Sequence, residues 1–214
     1  PDTGLLACKD VGKGKLADVD TILKVVDYHL HESDEFKGKK ILITAGATIE
    51  DIDPVRYITN KSSGKMGYAI AKIAAEMGAD VTLISGNTQL DVPYNLANFI
   101  SVRSAQDMYE EVQKYWKTAD VIIKAAAVAD YTPKEKLGNK MKKQEGDLSI
   151  PLKRTIDILK SIGEEKTSQI LVGFAAETQN VEQYAKEKIL KKNLDMIVAN
   201  DVSMNGAGFG TDTN

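Results

Sequence analysis

A chain of 214 residues, 43% hydrophobic and 28% charged, has the composition of a globular protein with material for one large α/β domain. Its net charge of −3 excludes binding to nucleic acid by bulk electrostatics. No apolar run approaches the roughly 20 residues that span a bilayer, and PDTGLLACKD has no basic-then-apolar leader pattern, so neither nucleic acid nor membrane is an expected partner and the cytoplasm is the expected location. The single cysteine, Cys8, can form no internal disulfide, and with two histidines it makes a poor metal set.

In chain order, glycines 4, 12 and 14 interrupt the start, and Val19–Leu30 reads as a short amphipathic helix followed by a charged linker, His31–Lys40. From Ile41 the pattern is regular. Strands are expected at Ile41–Thr44, Val81–Ile84, Phe99–Val102, Val121–Ala127, Leu148–Leu152, Ile170–Phe174 and Met196–Ala199. Helices are expected at Lys65–Met77, Gln106–Trp116, Ile156–Ile162 and Val181–Lys192. Strands that are continuous apolar runs and alternate with helices predict a Rossmann-like, doubly wound, mostly parallel sheet with helices on both faces. In such sheets the ligand sits beyond the carboxyl ends of the strands, so the segments after each strand are the ones that matter.

The first is the polar stretch Ala45–Lys65, which closes on NKSSGKMG, Asn60–Gly67, at a helix start. The free N–H groups and dipole of a first helical turn favour a phosphate. An ordinary cap, with Ser62 or Ser63 at the helix start and Gly64 permitting the turn, explains the same residues equally well. The pattern is neither G-x-G-x-x-G nor a Walker loop, which weighs against a dinucleotide oxidoreductase. A loop of this length, carrying Asp53, Arg56 and Asn60, usually has a task. The second segment follows VIIKAAA. Small residues there leave room for a ligand, Asp130 offers an acceptor, and the run Lys140–Lys143 lies in a loop with Pro133 and Gly138 that can move. Alone, that run is a solvated basic loop; beside a phosphate turn it becomes a cover for a polyphosphate. In GFAAET, Phe174 can stack on a base or belong to the core. Lys188 and Lys192 share one helix face at i, i+4, which is also what a solvated face looks like. Asn200 ends the last strand, and the glycine-rich GAGFGTDTN reads as an interrupted loop.

Together, ITAGATIEDIDPVRYITNKSSGKMG, AAAVADY, KMKK, GFAAET and KKNLDMIVANDV resemble the phosphopantothenoylcysteine synthetase family, from about Lys39 to Asn214. Residues 1–38 resemble the C-terminal end of the phosphopantothenoylcysteine decarboxylase, fused upstream of the synthetase in many bacteria. Lys9 and Lys15 depart from that family's glycine and arginine, and Cys8 matches its active-site cysteine. The division expected is 1–38 decarboxylase remnant and linker, and 39–214 synthetase domain, truncated at its C-terminus. The resemblance implies a ligase of coenzyme A biosynthesis. It activates 4′-phosphopantothenate with a nucleoside triphosphate as an acyl-nucleotide and joins it to cysteine. Bacterial fused members use CTP and eukaryotic relatives ATP, so the decarboxylase-like tail points to CTP and an acyl-cytidylate.

Carried over residue by residue, the resemblance makes Asn60 and Lys140 catalytic. It places Gly46, Ser62, Ser63, Gly64, Lys65, Met66, Gly67, Asp130, Lys140, Ile156, Asp157, Ile158, Leu159, Phe174, Lys188, Lys192 and Asn200 at the nucleotide, with Thr155 as a helix cap. It places Asn60, Ala126, Ala127 and Asp130 at phosphopantothenate, leaving Asp130 open between substrate and cytosine. Arg56 reaches the site from the partner subunit of a homodimer. Mg2+ accompanies CTP without an assigned protein ligand, and FMN belongs only to the missing decarboxylase domain. A nucleotide-binding module without turnover is the alternative.

Overall fold

The structure is a computed structural model and describes residues 1–143, 145–177 and 179–201. The elements run β1 (Asp2–Leu5), β2 (Val11–Lys15), α1 (Val19–His31), β3 (Lys40–Ala45), β4 (Ile49–Asp51), β5 (Tyr57–Thr59), α2 (Lys65–Glu76), β6 (Asp80–Ser85), β7 (Asn98–Ser101), α3 (Ala105–Tyr115), β8 (Val121–Lys124), β9 (Tyr131–Pro133), β10 (Leu152–Arg154), α4 (Ile158–Glu165), β11 (Ile170–Glu177), α5 (Val181–Lys192) and β12 (Met196–Asp201). A short 3₁₀ turn, Trp116–Thr118, extends α3.

Six strands form one wholly parallel sheet in the order β12-β11-β8-β3-β6-β7. Counted among themselves they run 6-5-4-1-2-3, the doubly wound Rossmann order. Alternation along β3 explains the layers. Ile41 and Ile43 point to α2, where they pack with Tyr68, Ala71, Ala74 and Ala75. Leu42 points to the opposite face, with Met108, Val112, Ile122, Ile158, Ile162 and Leu171. Leu42, Ile43, Leu83, Ile84 and Ile122 are fully buried, each contributing about 1.5–3 kcal/mol of apolar transfer. Helix α1 lies on α2, tied by Lys72 Nζ to Asp27 Oδ2 at 2.6 Å.

Several expected boundaries shift for identifiable reasons. Residues 2–15 form an antiparallel hairpin whose turn passes through Lys9 at φ 71°. The expected strand to Ala127 stops at Lys124, because the Ala126 and Ala127 N–H groups turn to Thr44 Oγ1 (3.3 Å) and the Gly46 carbonyl (2.9 Å). The expected strand Leu148–Leu152 lies later, as β10, which pairs antiparallel with the unforeseen β9. Helix α4 starts at Ile158 rather than Ile156. Its cap is Asp157, which accepts from the Lys160 N–H at 3.0 Å, and Thr155 instead donates to the Ala129 carbonyl at 2.6 Å. The long loop after β3 is partly a hairpin, β4 pairing β5. No helix among the described residues is long and apolar enough to cross a membrane. Thr178 and the tail 202–214 lie outside the described residues.

Candidate active site at the switch point of the sheet

Strands β3 and β8 are neighbours in the sheet. From β3 the chain winds towards β6 and β7, and from β8 towards β11 and β12, so their carboxyl ends flank the topological switch point. Three glycines meet there. Gly46 (φ 76°) and Gly64 (φ 82°) adopt left-handed backbone, and a Cβ on Gly64 would lie 3.2 Å from Gly46 Cα. A Cβ on Gly67 would lie 2.5 Å from Ala45 Cβ. The first turn of α2 is therefore seated directly on the end of β3. This is the spatial arrangement of a dinucleotide-type glycine fingerprint, with residues 47–63 inserted between its first two glycines.

Gly64 is the N-cap of α2, and no side chain caps the helix. Ser62 Oγ accepts from Gly64 N at 3.3 Å and Ser63 Oγ from Lys65 N at 3.4 Å, both long for hydrogen bonds of this type. The serines shape the turn before the helix, and Thr88 Oγ1 pins it by donating to the Ser63 carbonyl at 2.9 Å; a helix start of this kind is a candidate anion site. The floor is held by two fully buried threonines: Thr44, already named, and Thr48, whose Oγ1 accepts from Ala129 N at 2.9 Å. Exposed Asn60 reaches this floor, its Nδ2 donating to the Ala127 carbonyl at 3.1 Å.

Across that floor opens a cavity of about 380 Å³. It brings together Ala126, Asp130, Ile156, Asp157, Ile158, Leu159, Phe174, Lys188 and Lys192, all expected from the resemblance, with Lys124, Tyr131, Arg154 and Thr155. Lys188 Nζ donates to the Phe174 carbonyl at 2.9 Å, and Lys192 Nζ lies 2.8 Å from Asp157 Oδ2. Burial pushes the Asp157 carboxyl up, but the Lys192 ammonium and the Lys160 N–H outweigh it and hold Asp157 below the usual carboxylate range. Lys124, 6% exposed, has among the described residues only Met108 Sδ, at 3.8 Å, as a hydrogen-bonding neighbour. Burial lowers its ammonium to about 7, with Asp157 pulling the other way. Sequence reasoning missed Lys124; its signal was a lone charge ending an otherwise apolar strand, VIIK.

Lys140 is exposed and does not line this cavity. Its loop is tied instead to the β4–β5 turn: Leu137 N donates to the Ile52 carbonyl at 2.9 Å, Lys136 Nζ to Asp51 Oδ2 at 2.7 Å, and Met141 N to Asp53 Oδ2 at 3.0 Å. The loop expected to move freely is thus anchored. Arg56, within its own chain, donates through Nη2 to the Met141 carbonyl at 2.6 Å. Asn200 ends β12 beside Ala176 of β11. A larger cavity of about 490 Å³ beside α3 carries Asp107, Glu110 and Glu111, carboxylates that repel a polyphosphate. Among the described residues the one three-ligand cation cluster, Asp27, His31 and Glu76, bridges α1 and α2, where Lys72 already supplies the positive charge.

A Rossmann-ordered sheet with a glycine-seated helix start and a lysine-lined cavity at its switch point defines a doubly wound α/β protein whose candidate site is suited in charge to a phosphorylated ligand. More particularly, the chain belongs to the family of the DNA/pantothenate metabolism flavoprotein C-terminal domain, whose model matches residues 36–214. It is 57% identical over 216 residues to the coenzyme A biosynthesis bifunctional protein CoaBC of Bacillus subtilis (strain 168), covering 100% of this chain and 53% of that protein. The chain thus spans about half the length of the curated relatives it matches. The crystal structure of a C-terminal domain of CoaBC superposes with a TM-score of 0.71 at 54% identity, over 79% of this chain and 80% of that one. A Cab2 variant in complex with phosphopantothenate-cysteine shares the fold at 17% identity, with a TM-score of 0.66 over 87% of this chain and 80% of that one.

Proposed function

We propose that this chain carries the phosphopantothenate–cysteine ligase activity of coenzyme A biosynthesis, with CTP as the activating nucleotide. The observation that carries the reading is the joining of two half-sites through one short segment. Ala126 lines the lysine cavity, and Ala127 next to it is bonded to both Gly46 and Asn60 at the helix start. Its support beyond the geometry is the relatives' name, a coenzyme A biosynthesis bifunctional protein.

In the first step a carboxylate oxygen of 4′-phosphopantothenate attacks the α-phosphorus of CTP. The α–β phosphoanhydride bond breaks, and pyrophosphate leaves. In the second, the cysteine amine attacks the acyl carbon, the acyl–phosphate bond breaks, CMP leaves and the amine loses a proton. The first-turn N–H groups of α2, with Lys124, Lys188 and Lys192, offset phosphate charge. Phe174 and Asp130 face the base or the pantothenate amide. Asn60 uses one amide N–H on Ala127; its remaining hydrogen and its oxygen are left for the acyl centre. Lys140 acts from the loop above as a point charge on the triphosphate. Mg2+ would accompany the nucleotide and offset charge on its phosphates; no group of three or more His, Cys, Asp or Glu ligands lies at the cavity among the described residues.

The family match starts at residue 36, whereas the Bacillus relative aligns along the whole chain. We accordingly read residues 1–38 as the end of an upstream decarboxylase-type domain. FMN chemistry would reside in that domain, and Cys8, exposed here, would belong with it. A homodimer is part of the same reading, as is a cytoplasmic location; Arg56, expected at the neighbour's site, is engaged here with Asp53 and Met141 of its own chain.

The test is pyrophosphate release from the folded protein with CTP, 4′-phosphopantothenate and cysteine. Release that requires both CTP and phosphopantothenate is expected, with ATP slower. CTP binding by calorimetry with no release under any combination would refute ligation and leave a nucleotide-binding module.

A further inference from the structure

The β4–β5 turn contains a carboxylate that does more than the turn requires. Asp53 is 1% exposed. Its Oδ1 accepts from Val55 N and Arg56 N, both at 2.8 Å, which closes the turn over Pro54. That leaves Oδ2 unneeded locally. Oδ2 instead accepts from Met141 N, 88 positions away, at 3.0 Å, and lies 3.6 Å from Arg56 Nε. Arg56 Nη2 then takes the Met141 carbonyl at 2.6 Å. Both backbone polar groups of one loop residue are thus held by a single carboxylate–guanidinium pair. The residue so held directly follows Lys140, and the strand leaving the turn, β5, ends one residue before Asn60.

We propose that Asp53 and Arg56 form a latch that positions Lys140, so that one buried carboxylate sets the loop covering the nucleotide and the segment presenting Asn60. The inference rests on the assignment of Lys140 made above. Asp53 touches no substrate and is a positioning residue. The gain is pre-organisation: a loop already fixed at Met141 has less backbone entropy to lose when the nucleotide arrives, and its lysine is aimed beforehand. Asp53 also holds its charge, since the Met141 N–H above all, with the Val55 and Arg56 N–H groups, keeps its carboxyl below the usual range.

Asp53→Asn separates latch from turn. The amide oxygen can keep the two local N–H bonds, while its NH2 group faces the Met141 N–H and the guanidinium, donor against donor. Two measurements test the proposal. The first is a cycle of Asp53→Asn and Lys140→Gln read by pyrophosphate release, with urea unfolding alongside. Asp53→Asn is expected to lower kcat by about tenfold or more in the wild-type background and by nothing further beside Lys140→Gln. A wild-type rate for Asp53→Asn, or the same fold-loss in both backgrounds, overturns the latch while leaving the ligase reading standing. A wild-type rate for Lys140→Gln overturns the Lys140 assignment and the latch's catalytic role with it. The second readout needs no activity: tryptic cleavage at Lys140, Lys142 and Lys143 of the nucleotide-free protein. Cleavage about tenfold faster is expected in Asp53→Asn, and in Arg56→Lys should the former fold poorly. An unchanged rate in a folded variant overturns the latch.

Discussion

Gly67→Ala tests the seating of α2, on which the proposed anion site depends. The added Cβ would stand 2.5 Å from Ala45 Cβ, 3.1 Å from Ala45 Cα and 3.2 Å from the Thr44 carbonyl oxygen. Ordinary carbon contacts are about 3.5–4.0 Å. All three atoms belong to the end of β3, where neither backbone nor a methyl can rotate away. The first turn of α2 therefore has to retreat by about 1 Å. Overpacking of this kind costs about 1–3 kcal/mol. Alanine returns up to about 1 kcal/mol of helix propensity. The net loss is on the order of 1 kcal/mol, or about 2–4 °C in Tm for a chain of this size. Activity should fall much further, by up to about 100-fold, because a retreat of that size moves the N–H groups proposed to meet the phosphates. Urea unfolding and pyrophosphate release measure the two effects. Gly138→Ala is the control: nothing lies within 4 Å of its Cβ position, and its stability should hold within about 0.5 kcal/mol. A Gly67→Ala protein that is more stable than wild type and turns over normally would refute the close approach of α2 to β3.

Asn60→Asp replaces the donor to the Ala127 carbonyl with a carboxylate; turnover should fall by roughly 100-fold while CTP affinity by calorimetry is unchanged, and a normal rate would remove Asn60 from the acyl centre. Lys124 sits at about 7 in the free protein, so CTP binding at pH 8 should take up as much as about one proton, seen as a buffer-dependent binding enthalpy, and Lys124→Met should abolish the uptake. The same group sets a stability trend: its folded value lies below the usual 10.5, so the folded state binds fewer protons, and wild-type stability should rise relative to Lys124→Met from about pH 7 towards 10.5. Arg103, with Lys136, holds Asp51 at about 2 against an ordinary 3.8; the stability it adds over Asp51→Asn should be constant above that ordinary value and vanish as pH falls through about 2, and a difference unchanged across that window would discard the ion pair.

Periodicity placed all six strands of the central sheet within a few residues, because the inner ones are apolar runs long enough to be covered on both faces, and the alternation of strands with helices sufficed for the doubly wound parallel class. What it could not place were elements whose partners lie far away. Strand β9 is three residues with a proline and acquires its conformation from β10, some twenty residues on. The β4–β5 hairpin is likewise only three residues a side, in a stretch whose charges read as loop. The cavity residues were named through resemblance to a family; their own side chains, mostly lysine, isoleucine and aspartate, look locally like a solvated face and a core. Lys124 escaped even so, since nothing in a sequence says that a strand-end lysine points inward.

The glycine pattern shows how contiguity misleads. A motif search for G-x-G-x-x-G fails here, yet Gly46, Gly64 and Gly67 make the contacts that pattern encodes: a left-handed turn off the strand, backbone against backbone, and helix against strand. The fingerprint is a statement about close approaches, and a close approach does not require adjacent residues when the insertion leaves and returns at the same point. Residues 47–63 do so: their entry is fixed by the pairing of Ala47 with Ala127, and their exit by Thr88 holding Ser63. The excursion then has a use that a tight turn could not supply. It carries Asn60 back over the Ala127 carbonyl and Asp53 out to Met141, so residues inserted between the first two glycines tie the helix start to the segments after β8.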